Sequence, residues 1–270
     1  MTNSPPLAEI PPEQITKQLL REAFQDAWIH TTSLFGAEIN GQPAYRGTAT
    51  LVSAGGPCLL TAAHVWEELR QFTLIGLSLG DGREPVAIRR EFVVERFVSQ
   101  RGTPEWGPDL ALIGIPELKA SELRAHKAFY NLDRRRPAAL ETAPYTGGGM
   151  WGVLGAAAEQ ASFAADVAIL PTNLFVSVIT ATTEQSVYDY LDLAIRVGGS
   201  PGLPTSYGGL SGAGLWRYEL TKSESTGRVA VAGRPSLEGV AFYQGPGSDR
   251  SFIRCHGRRS VYQRVLENAA

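Results

Sequence analysis

Between residues 31 and 116, and again between 146 and 258, the chain reads as short apolar and β-branched runs punctuated by glycine turns. That rhythm describes many strands too short to stand alone, which bury their faces only by curling into a barrel or stacking into a sandwich. In the first stretch, Ser33 to Ile39 precedes Asn40-Gly41, a strong hairpin signal, and Ala44 to Ser53 is the returning strand. Gly55-Gly56 turns the chain into Cys58 to Thr61. Thr73 to Leu79, Val86 to Ile88, Phe92 to Val98 and Leu110 to Ile115 continue the series, with Asp81-Gly82 as a further turn. In the second stretch the strand candidates are Met150 to Leu154, Phe175 to Ala181, Tyr188 to Ile195, Gly214 to Trp216, Val229 to Val231, Val240 to Gln244 and Ser251 to Arg254.

The flanks differ. Residues 1–30 form an N-terminal extension in which 13–28 is an amphipathic helix behind Pro11-Pro12, with Ile15, Leu19, Phe24 and Trp28 as its apolar stripe. Residues 117–145 connect the two strand-rich stretches, with a helix over Ser121 to Leu132 and no clear period from Arg134 to Pro144. A short helix closes the chain over 259–270, with Ser260 as its cap and Gln263 completing a capping box.

Hydrophobic residues make up 43% of the chain and charged residues 19%, proportions of a globular fold. The formal net charge of −2 favours neither nucleic acid nor an anionic membrane as partner. The most apolar long stretch, Gly147 to Leu170, is broken by Glu159, Gln160 and Asp166 and does not read as a membrane span. The N-terminus has no basic start and no apolar core of a signal, so a cytoplasmic location is expected. Cys58 and Cys255 read as buried thiols, with one bridge between them left open. No metal-ligand spacing surrounds His30, His126 or His256, so no metal or cofactor is expected.

Three local features carry chemistry. In Leu60-Thr61-Ala62-Ala63-His64-Val65 a histidine follows a buried strand, and the small residues before it let the backbone pack while the imidazole faces a cleft. In Gly107-Pro108-Asp109-Leu110-Ala111-Leu112-Ile113 an aspartate opens an apolar strand, where it can fix a histidine tautomer and stabilise an imidazolium. In Gly208-Gly209-Leu210-Ser211-Gly212-Ala213-Gly214 a serine sits among glycines. A nucleophilic serine needs backbone N–H groups aimed at the developing oxyanion, and here Gly209 and Ser211 would supply them.

Taken in this order, the three features resemble the trypsin/chymotrypsin-like serine peptidase family over about residues 30–265. Thr61 to His64, Asp109 to Leu112 and Gly209 to Gly212 match its histidine, aspartate and serine motifs. The resemblance implies an all-β fold of two antiparallel six-stranded β-barrels, His64 and Asp109 on the first (31–116) and Ser211 on the second (146–258). It implies a serine endopeptidase acting on a protein or peptide through an acyl-enzyme, by limited proteolysis; a narrow substrate, a regulatory partner that opens the cleft or co-expressed targets would each serve as its restraint. It also places Thr205 near the base of the primary substrate pocket, and Phe242, Tyr243 and Gln244 on the strand that pairs with substrate.

The departures are informative. Leu210 stands where secreted zymogens carry an aspartate, so that activation switch is absent. No cysteines flank His64, and Phe242 falls where a serine often supports the catalytic aspartate. Thr205 disfavours a basic P1 side chain. Cys255-His256 is no Cys–His pair, since neighbours on a strand face opposite ways. An α/β-hydrolase would need its acid and histidine after Ser211, where only Asp249 and His256 stand, and βα units upstream that the chain lacks. The other class of reading is a non-catalytic peptide-binding module, a pseudoprotease of the same fold.

Overall fold

A computed structural model of the chain describes residues 15–39, 41–80, 82–100, 102–141, 149–164, 167–195, 204–223, 225, 227–246 and 251–269. The expected helix start at Glu13 with its two prolines, and the turn residues Asn40 and Asp81, lie outside them. Helix α1 runs Lys17–Trp28, its first turn closed by Thr16, whose hydroxyl accepts from Leu19 N. Its stripe of Leu19, Ala23 and Ala27 is buried.

The first sheet is built from β1 (Thr31–Ala37), β2 (Ala44–Ser53), β3 (Pro57–Thr61), β4 (Leu74–Leu77), β5 (Val86–Arg89), β6 (Val94–Val98) and β7 (Ala111–Gly114). Their order is β5-β4-β1-β2-β3-β7-β6, and all these pairs are antiparallel. The short helix α2 (Ala63–Leu69) leaves the end of β3. The stretch expected to be a strand from Phe92 begins instead with a 3-10 turn at Arg90–Phe92.

The connection holds more helix than its sequence pattern suggests. Helix α3 spans Glu117–Arg124, β8 (Tyr130–Asn131) pairs in parallel with β2, and α4 spans Leu132–Glu141. The expected Ser121-to-Leu132 helix is therefore displaced, and the stretch after Arg134 is helical. Asn131 starts α4, its side-chain oxygen accepting from Arg134 N at 2.7 Å. Leu132 and Ala139 then pack on the core despite Pro137 inside the helix.

The second sheet runs β12-β9-β15-β16-β17-β14-β13, all antiparallel. Its strands are β9 (Met150–Ala156), β12 (Thr172–Ser177), β13 (Ile179–Gln185), β14 (Tyr188–Ile195), β15 (Gly214–Lys222), β16 (Val229–Gly245) and β17 (Ser251–His256), with β10 (Ser162–Ala164) and β11 (Val167–Ile169) forming a separate hairpin. The single strand β16 joins two expected strands, its pairing with β15 shifting register twice. The chain then enters a π-helical segment, Arg259–Val265, followed by α5 (Leu266–Asn268).

Ser260 is not the cap of that final helix. It lies inside it, buried, and its hydroxyl bonds to Asp189 of β14. The Asp189 carboxylate instead accepts from Arg259 N and Ser260 N, capping the helix from a distant strand. One apolar cluster fills the first sheet around Leu51, Leu59, Trp66 and Ile113, and another the second around Val153, Leu193, Leu215 and Ile253. A third joins α1, both sheets and the C-terminal helix through Leu19, Leu60, Leu112, Trp216 and Tyr262. Cys58 and Cys255 fall in different clusters and are free thiols, so they do not pair. The chain is all-β, two curled antiparallel sheets with few helices, consistent with a chymotrypsin-like pair of barrels. No helix among the described residues is long and apolar enough to cross a membrane.

Candidate active site

His64 is the second residue of α2. Ala62 and Ala63 are fully buried, so this helix sits tight against the sheet and carries His64 to its rim. A helix start leaves backbone N–H groups without partners, and no side chain of Ala62 can cap them. Asp109 does so from the loop before β7: its Oδ1 accepts from His64 N at 2.9 Å. Its Oδ2 lies 2.5 Å from His64 Nδ1. Both carboxylate oxygens thus serve one residue. The Asp109 side chain is 4% exposed and that of His64 23% exposed, so the pair is sheltered on the aspartate side and open on the imidazole side. Burial pushes the Asp109 carboxyl upward. The hydrogen bonds and charge of His64 outweigh it, and Asp109 is held below the ordinary carboxylate range.

The serine turn belongs to the second sheet yet docks on the first. Thr48 N donates to Ser211 O at 3.0 Å, and the Thr48 and Tyr45 hydroxyls both donate to Gly209 O. A Cβ placed on Gly47 would stand 2.8 Å from Val65 and 3.1 Å from Ser211 O. Gly47 is therefore the point where the residue after His64 and the carbonyl of Ser211 converge. On its other flank the turn is tied to β16, with Gly212 N donating to Ala241 O and Ala241 N to Ala213 O. Gly212 must be glycine. Its φ is +90°, and a Cβ would stand 1.9 Å from Thr48 O. Gly209 has φ +93°, with the Tyr45 ring 2.6 Å from where its Cβ would be.

The peptide planes of the turn are fixed through their carbonyls. Gly208 O accepts from Ala158 N at 2.7 Å, and Leu210 O from Ala213 N at 2.8 Å. Since N–H and C=O point oppositely across a trans peptide, the N–H groups of Gly209 and Ser211 face away from those anchors. Beside Ser211 lies a cavity of about 120 Å³. Ser206, Tyr207, Gly208, Leu210 and Ser211 form one wall, and Ala241, Phe242, Tyr243, Gln244 and Ile253 the other. Gln244 Oε1 accepts from Tyr207 N, joining the two walls. Thr205 is exposed and outside this lining; its hydroxyl and N–H are taken by the Glu159 carboxylate. A larger groove of about 550 Å³ opens on the outer edge of the first sheet, around Ile88, Phe92 and Leu118, and contains none of the candidate residues.

One residue of the site has no local signal in the sequence. Asp109 N donates to His256 Nε2 at 3.0 Å. Cys255, its neighbour, faces the core of the second sheet, and burial drives that thiol pKa upward. Burial lowers the pKa of His256 to about 4, against the pull of Asp109 and Asp189. The consequence for stability follows from linkage. Unfolded, the imidazole titrates near 6.5; folded, it stays neutral until about pH 4. The unfolded chain thus binds the extra proton between these values, and stability present in full above pH 6.5 is lost as pH falls towards 4. The gap corresponds to about 3 kcal/mol. Asp109, also depressed, adds a loss in the same direction at lower pH. Denaturant titrations from pH 7 to pH 4 are expected to show wild type losing more stability than His256→Phe by this order. Parallel curves for the two proteins would contradict it.

Among the described residues, no group of three or more His, Cys, Asp or Glu side chains is placed to hold a metal ion. No family model matches the chain, and no curated protein matches it. Among solved structures, the chain is similar to the Rv3671c protease from M. tuberculosis in its active form, at 15% identity and a TM-score of 0.44, over 94% of this chain and 86% of that one. That likeness is too distant to carry a residue role across, so the site stands on its own geometry.

Proposed function

We propose that the chain is a serine endopeptidase with Ser211 as nucleophile, His64 as general base and Asp109 as the carboxylate that orients it. The observation that carries this reading is the double contact of Asp109 with His64, made beside a glycine-bound serine turn that docks on the same sheet rim. With its Nδ1–H donating a hydrogen bond to Asp109 Oδ2, His64 keeps a lone pair on Nε2. That nitrogen takes the Ser211 proton as the hydroxyl oxygen bonds to a peptide carbonyl carbon. The Gly209 and Ser211 N–H groups receive the oxyanion. His64 then protonates the leaving amine as the C–N bond breaks, and a water molecule repeats the sequence on the acyl-enzyme.

The substrate side is set by the cavity beside Ser211. Its described lining has no carboxylate and no cationic group, and Gln244 is already engaged. A buried charge needs a partner, so P1 is uncharged and small enough for about 120 Å³. The test is cleavage-site profiling with a random peptide library. Cuts after uncharged side chains are expected, and strict cleavage after Arg or Lys would contradict the assignment.

A further inference from the structure

Asp109 is held at three atoms. His64 takes both carboxylate oxygens. The third hold comes from the other sheet, where His256 Nε2 accepts the Asp109 N–H from 147 positions away in sequence. His256 ends β17, in register with Tyr190 of β14 and Val240 of β16. Its ring is wholly buried. It lies against Phe242 with centroids 4.6 Å apart, against Tyr190 at 5.1 Å and against Tyr188 at 5.8 Å. Phe242 in turn lines the cavity beside Ser211. One ring thus touches the backbone of the carboxylate and backs the wall of the cavity.

The contact fixes the state of the ring. A backbone N–H only donates, so Nε2 accepts and the proton of the neutral imidazole sits on Nδ1. That Nδ1 is buried without a hydrogen-bond partner among the described residues. A buried donor left unpaired is a standing cost. A phenylalanine would fill the same aromatic nest without it, so the gain from this ring lies in its other nitrogen. On the far side of Asp109, Leu110 is paired both ways with Ser99, and on the near side Gly102 N donates to Pro108 O and Gly107 N to Thr103 O, so the chain is held on both flanks and the Asp109 amide itself is held by His256.

Resting on the reading of Asp109 as the orienting carboxylate, we infer that His256 is a positioning residue: its Nε2 sets the backbone at Asp109 and so the aim of the carboxylate at His64. His256 is too deeply buried to meet substrate, and being neutral it relays no proton. What it does is register the carboxylate of the first sheet on the sheet that carries Ser211. Small errors at this point matter, because a misplacement of about 1 Å in a catalytic group costs roughly 10²-fold in rate.

Nitrogen-15-labelled wild type should show scalar coupling across the hydrogen bond between the Asp109 amide nitrogen and His256 Nε2; its absence would overturn the inference. His256→Phe keeps the ring and its stacking but removes the acceptor, whereas His256→Gln keeps an acceptor near Nε2. The strongly deshielded proton of His64 Nδ1 is expected in wild type and in Ser211→Ala, displaced in His256→Phe and restored in His256→Gln. In peptide turnover kcat should fall roughly 10²-fold in His256→Phe, with KM little changed, and recover in His256→Gln. A His64 proton unmoved by His256→Phe would refute the role. Because Ser211→Ala reports that proton without turnover, failure of the peptidase reading would show as inactivity with the resonance test intact. Should His256→Phe not fold, the wild-type coupling and the His256→Gln resonance decide in the same two directions.

Discussion

Ser211→Ala is expected to lower kcat by about 10⁶-fold while leaving the protein as stable as wild type, within about 0.5 kcal/mol. The two halves of that expectation come from different atoms. None of the contacts described above as anchoring the serine turn uses the Ser211 hydroxyl: Ser211 O sits on Thr48 N, Gly212 N on Ala241 O, Gly209 O under the Tyr45 and Thr48 hydroxyls, and the Leu210 side chain in the core of the second sheet. Alanine keeps all of these and removes only the hydroxyl. The residual rate expected is that of binding and of the proposed oxyanion donors, the Gly209 and Ser211 N–H groups, which the substitution leaves in place. Turnover of a cleaved peptide, measured beside a denaturant curve, checks both halves. A variant that turns over within tenfold of wild type would remove Ser211 from the chemistry.

Asp109→Asn is expected to lower kcat by about 10⁴-fold with a smaller effect on KM. The carboxylate accepts from two donors of one residue, His64 N and His64 Nδ1. A carboxamide has one accepting oxygen. If that oxygen keeps the backbone N–H, the amide NH₂ faces Nδ1, and the ring must carry its proton on Nε2, where it cannot act as base. If it turns to the ring, the NH₂ meets the His64 N–H and a buried donor is left unpaired, at about 1–3 kcal/mol. Asparagine therefore loses rate in one orientation and stability in the other. Kinetics and melting measured on the same preparation separate them, and unchanged kcat with unchanged stability would contradict the assigned contact.

The strands were legible where period and punctuation agreed. Ala44–Ser53 and Tyr188–Ile195 match their expected bounds to the residue. They failed where turn-forming residues sit inside a strand: Gly233, Arg234 and Pro235 look like a break, yet β16 carries them through irregular pairing with β15. Helix α4 was illegible because its charged sequence has little apolar stripe, and its start depends on Asn131 and its hold on two side chains packed against the core. The apparent capping box at Ser260 was misleading, because Asp189 of another strand does the capping.

The site divides in the same way. The three residues of the proposed triad each lie in a short motif, and their order along the chain raised them above their separate signals. Thr205 stands six residues before Ser211, near where the resemblance places the pocket base, but its polar groups are drawn to Glu159, a residue 46 positions earlier. None of the local readings of His256 points to this contact with the first sheet, since its partner Asp109 is 147 positions away. Contacts of that separation are set by how the two sheets meet, which no local window of sequence contains.

The central claim is that Ser211 is a nucleophile activated by His64. Reaction of the folded protein with a fluorophosphonate, followed by mass mapping of the adduct, tests it most directly. The expected result is one adduct on Ser211, strongly reduced in His64→Ala. A folded wild type that cleaves peptides yet carries no adduct on Ser211, or carries it on another serine, would contradict the claim.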